Sequence, residues 1–239
     1  AFLPYTCTWG DIEISLTGVT TLELPNLQQI SGRLSVRDSD ALTTIELPML
    51  ESIGDSFFIT DNPLLTTLDA PMLDTIGGNL SINRCNELDT ITMSSVSSIG
   101  GVFIYGASSL SSLAFLSTMT TLDGILYIRE TNLTNLTGLD GVSPVNRAIA
   151  IFDNPNLTSL TGLEGFTNAM EVSIYGNPLL TNLDALSSIS GGLATSLMID
   201  DNASLTNLDG LSGINRVTFM VQITNNPNLA NVDGLTSIT

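Results

Sequence analysis

The chain has no histidine, which removes most ordinary catalytic chemistry at once. A Ser-His-Asp relay needs an imidazole to carry the proton, and a His-ligated metal needs one to bind it. No glycine-rich phosphate loop and no dinucleotide fingerprint occurs either. What is left for acid–base work is carboxylate, and paired Asp or Glu residues suffice for a glycan hydrolase or lyase. The acids, however, recur at one place in a repeating unit (Glu46, Asp69, Asp184, Asp209, Asp233). Only Asp38 with Asp40, and Asp200 with Asp201, form local clusters near the sheet. Regularly spaced acids read as solvated turns, and the Asp-Gly pairs at 123–124, 140–141, 209–210 and 233–234 are turn chemistry. Stacked carboxylates can hold calcium between coils, but the Gly-rich nonapeptide of calcium β-rolls is absent. The expectation is a protein that is not an enzyme, with no catalytic residue, metal site or cofactor. A carboxylate-dependent glycan hydrolase or lyase is the remote alternative.

The residues equipped for binding are aromatic. Of thirteen aromatics (eight Phe, four Tyr, one Trp), six fall directly before or after a recurring apolar position: Phe58, Phe103, Tyr105, Tyr127, Phe152 and Tyr175. Five of the six crowd four consecutive repeats, with Arg129 in their midst. On a solvated sheet such a patch usually marks an interface. The competing explanation is that large residues favour strands and cover one another across neighbouring coils. The spacing suits stacking on sugar rings or packing against a partner's apolar strip, while Arg129 can pair with an acid or lie over a ring.

These positions acquire meaning from the repeat that carries them. Its central residues are Ile14, Val36, Ile59, Ile82, Ile104, Ile128, Ile151, Ile174, Ile199 and Ile223, spaced 22–25 residues apart. The unit reads roughly L-x-I-x-x-N-P-x-L-T-x-L-D-G-L-x-x-I, and a period in the twenties with this leucine spacing marks a solenoid. Alternate side chains of L-x-I share one face of a strand. A lone strand of that length cannot bury its apolar side, whereas copies stacked at about 4.8 Å form a parallel sheet over a continuous interior. No segment sustains helical i, i+3, i+4, i+7 spacing. The expected fold is therefore all-β: a right-handed parallel β-solenoid of about ten leucine-rich-repeat-like coils with little or no α-helix. The far side should be short extended or 3₁₀ pieces. The pairs Gly77-Gly78, Gly100-Gly101 and Gly191-Gly192 read as corners where φ turns positive. Residues flanking each centre face outward, which gathers the six aromatics and Arg129 on one candidate face.

Three residues after the centre stand Asn62, Asn154, Asn177, Asn202 and Asn226, with Ser39, Cys85, Ala107 and Thr131 in other repeats. Inward amides repeated at each coil can bond neighbouring backbones as a ladder. Cys85 reads as a small buried substitute for Asn rather than a disulfide partner. The other cysteine, Cys7, lies about three coils away, roughly 15 Å by strand spacing. Two cysteines decide neither the bond nor the redox compartment. Residues 1–9, with Phe2, Tyr5 and Trp9, read as a segment covering the open end of the stack. Residues 10–239 read as one solenoid, which grows without a second core. The sequence stops in mid-repeat at Leu235–Thr239, so that end is expected either to stack on another subunit or to continue in a longer protein.

Apolar residues are 43% and charged ones 13%, and 24 acids against 6 bases give a formal charge of −18. Nucleic acid is excluded, because its binding needs basic patches that displace counterions, and an anionic membrane surface is disfavoured. No apolar run approaches 18 residues, so no segment is expected to cross a bilayer. Sequons occur at Asn79, Asn132, Asn135, Asn156 and Asn202. The last lies on the inward ladder, which leaves the first four as candidate glycosylation sites. With the Thr-rich, Lys-poor surface they point to an exported glycoprotein.

The stretches Leu50-Glu51-Ser52-Ile53-Gly54 before Phe57-Phe58-Ile59, and Leu73 to Ile82, resemble the L-x-x-I-x-G-x-L-x-I pattern of receptor L domains. These are leucine-rich-repeat relatives in insulin and growth-factor receptor ectodomains and in fungal cell-wall surface proteins. The resemblance covers residues 10–239. It departs from the receptors in lacking their cysteine-rich modules and in having more, shorter and more regular turns. It implies the solenoid and a place outside the cell or at its surface, and it carries over no ligand specificity. The expected function is an interaction protein whose outward sheet face binds a protein or glycan partner. The alternative is a structural subunit of an extracellular filament or wall, self-associating end to end.

Overall fold

The computed structural model describes residues 7–8, 10–142, 148–193 and 195–239. The chain is all-β, a parallel solenoid of about nine turns. Ten strands form its main face: β1 (Ile12–Ile14), β2 (Leu34–Arg37), β3 (Phe57–Thr60), β4 (Thr75–Asn83), β5 (Ser98–Ala107), β6 (Leu126–Thr131), β7 (Ala148–Phe152), β8 (Glu171–Tyr175), β9 (Ser196–Asp200) and β10 (Met220–Thr224). Each pairs in parallel with the next, and the central residues keep one register from Ile14 opposite Val36 to Ile199 opposite Ile223. Ten strands delimit nine turns, which accounts for the small difference from the repeat count.

The period-2 pattern places every second side chain inside. Val36, Ile59, Ile82, Ile104, Ile151 and Ile174 are all 0% exposed, each worth roughly 1.5–3 kcal/mol of burial. Ile14 and Ile223, with a paired neighbour on one side only, are partly buried.

Strict alternation would turn the residue three places after the centre outward, yet it is buried. The reason is the residue before it. Asp38, Asp61, Arg84, Gly106, Glu130, Asp153, Gly176, Asp201 and Asn225 all take left-handed backbone, φ 50–68°. That one residue resets the phase of the chain, and Asp, Asn and Gly tolerate the conformation best. Asn62, Asn154, Asn177 and Asn202 consequently point inward, each 0% exposed. The backbone N–H groups of Asn154, Asn177 and Asn202 donate to the side-chain oxygens of Asn177, Asn202 and Asn226 (3.1, 3.2 and 2.9 Å). The side-chain amides in turn donate to backbone carbonyls in the preceding coil, as Asn177 does to Ile151 (3.0 Å).

Cys85 occupies the same column. It is buried, and both it and the exposed Cys7 are free thiols. Its thiol donates to Ile59 O and Asn83 O (3.6 Å each), the same two carbonyl positions that a ladder asparagine serves. Burial pushes its pKa up, so it stays a neutral thiol.

The far side is built in two ways. In the first repeats Thr-rich segments give a four-stranded sheet, Thr21–Glu23, Thr44–Glu46, Thr67–Asp69 and Thr90–Thr92. In later repeats the same place holds 3₁₀ turns at Asp184–Leu186, Asp209–Leu211 and Asp233–Leu235, and another follows Leu113 at Ala114–Leu116. Stiff β-branched Thr favours the strand. Asn two residues before Asp makes the turn instead, because Asn182, Asn207 and Asn231 accept from the N–H of Asp184, Asp209 and Asp233 at 3.0–3.1 Å.

The glycine pairs correct one expectation. Gly191 has positive φ, but Gly77, Gly78, Gly100 and Gly101 do not and lie within β4 and β5. Their role is close approach: a Cβ at Gly54, Gly77, Gly100 or Gly124 would sit 2.2–2.6 Å from a carbonyl oxygen of the coil below. The expected covering segment falls mostly outside the described residues, including Phe2, Tyr5 and Trp9. Of it, Cys7–Thr8 pairs in parallel with Gln29–Ile30.

Candidate functional site

β5 to β8 carry the outward residues that the sequence brings together. Phe103 stands opposite Tyr127, which stands opposite Ala150, while Tyr105, Arg129, Phe152 and Tyr175 follow one another across the same four strands. The rings form a continuous strip. Phe103 and Tyr127 are 6.1 Å apart at 21°, Tyr127 and Phe152 5.5 Å at 88°, and Phe152 and Tyr175 4.4 Å at 28°. Such pairs are each worth about 0.5–1.5 kcal/mol beyond their buried area, so the strip is held in place before anything binds it.

The angles decide what the strip offers. A 4.4 Å separation leaves room only for rings face to face, so Phe152 and Tyr175 stand across the solenoid axis and turn their edges outward. Sugar stacking, one of the two uses the spacing suggests, is therefore not available on the faces they share. Tyr127 lies perpendicular to Phe152, so its plane runs broadly along the axis, and that of Phe103 runs with it. All four rings are half-buried. The outward-facing Ala150 and Ser173 are 8% and 1% exposed, so neighbouring large side chains lie over them, among them Glu171, which accepts from the Ser173 hydroxyl (2.8 Å). The rings thus cover part of their own sheet as well as facing solvent.

Arg129 does both things expected of it. Its guanidinium carbon lies 5.2 Å from the Tyr105 ring centroid, and its Nε is 2.9 Å from Asp153 and 3.2 Å from Glu130. Neither acid lies along the Nε–H direction, which has no hydrogen-bond acceptor, so these are charge contacts worth at most about 1 kcal/mol at this exposure. The Tyr127 side chain does most to hold its pKa above the ordinary value, against the opposing effect of partial burial, and Tyr175, Asp153 and Glu130 add to it. The guanidinium is permanently charged in any case. Burial, then the negative charge of Asp153, raises the Tyr175 pKa against the pull of Arg129, so its phenol is a neutral donor at physiological pH.

Phe58 stands apart from the strip. It lies opposite Ser35 and Ser81, and Ser81 separates it from Phe103.

Beside the strip lies a feature the sequence reasoning did not find. A groove of about 350 Å³ crosses three coils, lined by Gly77, Gly78, Asn79, Gly100, Phe103, Asp123, Gly124 and Ile125. Its signal in the sequence is a glycine recurring at one place in successive repeats, a pattern that also fits a set of corners. Gly101 faces outward two residues before Phe103 and is buried. A Cβ there would meet the Phe103 ring at 3.2 Å and Asn79 Oδ1 at 2.6 Å. Phe103 therefore leans back over a bare backbone, next to the Asn79 amide.

The sequons separate by burial. Asn132 and Asn156 are exposed and joined by a hydrogen bond (2.6 Å). Asn79 and Asn135 are half-buried, and Asn202 is fully buried in the ladder, as its column implied. Of the two acid clusters, Asp38 and Asp40 line a pocket with Asp61 and Arg84. Asp38 and Asp201 occupy left-handed corners, and Asp200 accepts from Thr224 (2.6 Å) and Asn225 (2.9 Å). Among the described residues no group of three or more Cys, Asp or Glu is placed to hold a metal ion. No helix among them is long and apolar enough to cross a membrane. No protein-family model matches the chain, and no curated protein sequence matches it either.

Proposed function

We propose that the outward face of β5 to β8 is the docking surface of a non-enzymatic interaction protein, acting outside the cell or at its surface on a protein or glycan partner. The observation that carries this reading is the unbroken strip Phe103–Tyr127–Phe152–Tyr175 on four consecutive strands, with Arg129 over Tyr105 beside it. Pre-ordered rings lose little freedom when a partner lands on them, which favours binding. The exposed sequons at Asn132 and Asn156, and the resemblance to receptor L domains, support the extracellular setting. The charge of −18 favours a neutral or basic partner over an anionic one.

The test is alanine substitution at Tyr127 and Phe152, read in parallel by binding and by urea melting. Each should weaken capture of the partner from the native extracellular milieu by about 2 kcal/mol, as hot spots do, and shift stability by the two ring pairs it loses, about 1–3 kcal/mol. Destabilisation of both with binding unchanged would reduce the strip to sheet packing.

A further inference from the structure

We infer that the glycine-lined groove beside Phe103 is a subsite for a neutral, linear β-linked glycan. Phe103 supplies the stacking face, and Asp123 with Asn79 supplies the hydroxyl contacts. The inference rests on the docking-face reading above and names the partner class that one end of that face would take.

Three observations carry it. The first is ring orientation. Phe152 and Tyr175 face each other, but Phe103 and Tyr127 are turned along the axis, and Phe103 lies back over Gly101. The Cε2 edge of Phe103 closes on Gly101 and the ring lines the groove, which sets an aromatic surface where a pyranose could present its C–H groups. The second is the shape of the groove. It crosses the coils of Gly77–Asn79, Gly100–Phe103 and Asp123–Ile125, so it runs along the solenoid axis, alongside the strip, and suits an extended chain. Its floor is glycine because each Cβ would strike the coil below, and the same constraint bares the backbone. About 350 Å³ is at the lower end of small-ligand sites.

The third observation is the polar lining. Asp123 is exposed at the rim, and a carboxylate can take two adjacent hydroxyl groups at once. Asn79 supplies both a donor and an acceptor. None of the described residues lining the groove is Arg or Lys, and the chain carries a charge of −18. Sulfated or uronic-acid glycans would meet repulsion that none of the described lining residues compensates.

The experiment is calorimetric titration of the intact protein with cellohexaose, laminarihexaose and N-acetylchitohexaose, with oligogalacturonate as the anionic probe. At least one neutral hexaose should bind and oligogalacturonate should not. Phe103→Ala should weaken that binding at least tenfold and Asp123→Asn about threefold or more. Phe58→Ala, in a neighbouring coil off the strip, should leave it unchanged. Asp123→Asn is a rim substitution that leaves the packing intact, so it decides the matter if Phe103→Ala fails to fold. Failure of all three neutral hexaoses to bind overturns the inference, as does binding that ignores both groove variants. Hexaose binding lost in Tyr127→Ala or Phe152→Ala but kept in both groove variants would leave the docking face standing and discard the groove. Mass spectrometry of the native protein gives a further check, because a glycan attached at Asn79 would fill the groove in cis and overturn the proposal.

Discussion

Replacing one ladder asparagine should reveal how much of the solenoid rests on a single amide per coil. Asn177 is the best target because its neighbours on both sides continue the column. Its oxygen accepts from the Asn154 N–H (3.1 Å), and its amide donates to Ile151 O (3.0 Å) and Tyr175 O (3.0 Å). Asn177→Ala leaves Tyr175 O with another donor, the Asp153 N–H at 3.0 Å. The Asn154 N–H, however, loses its acceptor at a buried site, which costs roughly 1–3 kcal/mol, and Ile151 O loses a donor worth about 1 kcal/mol. The expected loss is about 3 kcal/mol. Cys85 supplies an internal comparison, since its thiol reaches the equivalent carbonyls at 3.6 Å. Asn177→Cys should therefore cost about half as much as Asn177→Ala, and Cys85→Asn should stabilise by about 1 kcal/mol. Urea melts followed by far-ultraviolet circular dichroism measure all three, read as a shift in midpoint at constant slope. A loss below about 1 kcal/mol for Asn177→Ala, or destabilisation by Cys85→Asn, would refute the ladder as a stabilising device.

Three further outcomes follow from the same architecture. Ile104 is fully buried between Ile82 and Ile128 in register, so Ile104→Asp should unfold the central coils by burying an unpaired charge. Loss of the circular dichroism signal at room temperature would report it, and a native-like melt would contradict it. Gly124→Ala should cost about 2 kcal/mol or more, because its Cβ would fall 2.2 Å from Gly100 O. Gly141→Ala, whose nearest atom is 3.0 Å away, should cost less than half of that in the same thermal melts. Tyr175 should ionise above the ordinary value of about 10, visible as the difference in phenolate absorbance between the wild type and Tyr175→Phe. Between the unfolded and the raised folded value the native state holds the extra proton, so stability should fall as pH rises beyond about 10. Ionisation of this residue at the ordinary value of about 10 would exclude the raised value.

How far the sequence determined this protein can be judged column by column. The isoleucine column and the parallel register followed from spacing alone, because burial of one face must repeat wherever the strand repeats, whereas the inward asparagines were legible from the recurrence of Asn in one column and not from strand alternation. The gathering of Phe103, Tyr105, Tyr127, Arg129, Phe152 and Tyr175 on one face followed from the same alternation. Phe58 satisfied that alternation too, yet it stands outside the strip, because the pattern gives the side of the sheet and not which rings touch. Ring orientation is set by χ angles that settle only against neighbours such as Ala150 and Ser173. The left-handed residue before each ladder position was equally hidden, since Arg84 and Glu130 sit there beside the Asp and Gly that favour it. Gly54, Gly77, Gly100 and Gly124 recur plainly in the sequence, but a glycine can serve either a positive φ or a close approach. Only the carbonyl of the coil below, more than twenty residues away along the chain, decides between them, and the groove beside Phe103 exists because it decides for close approach.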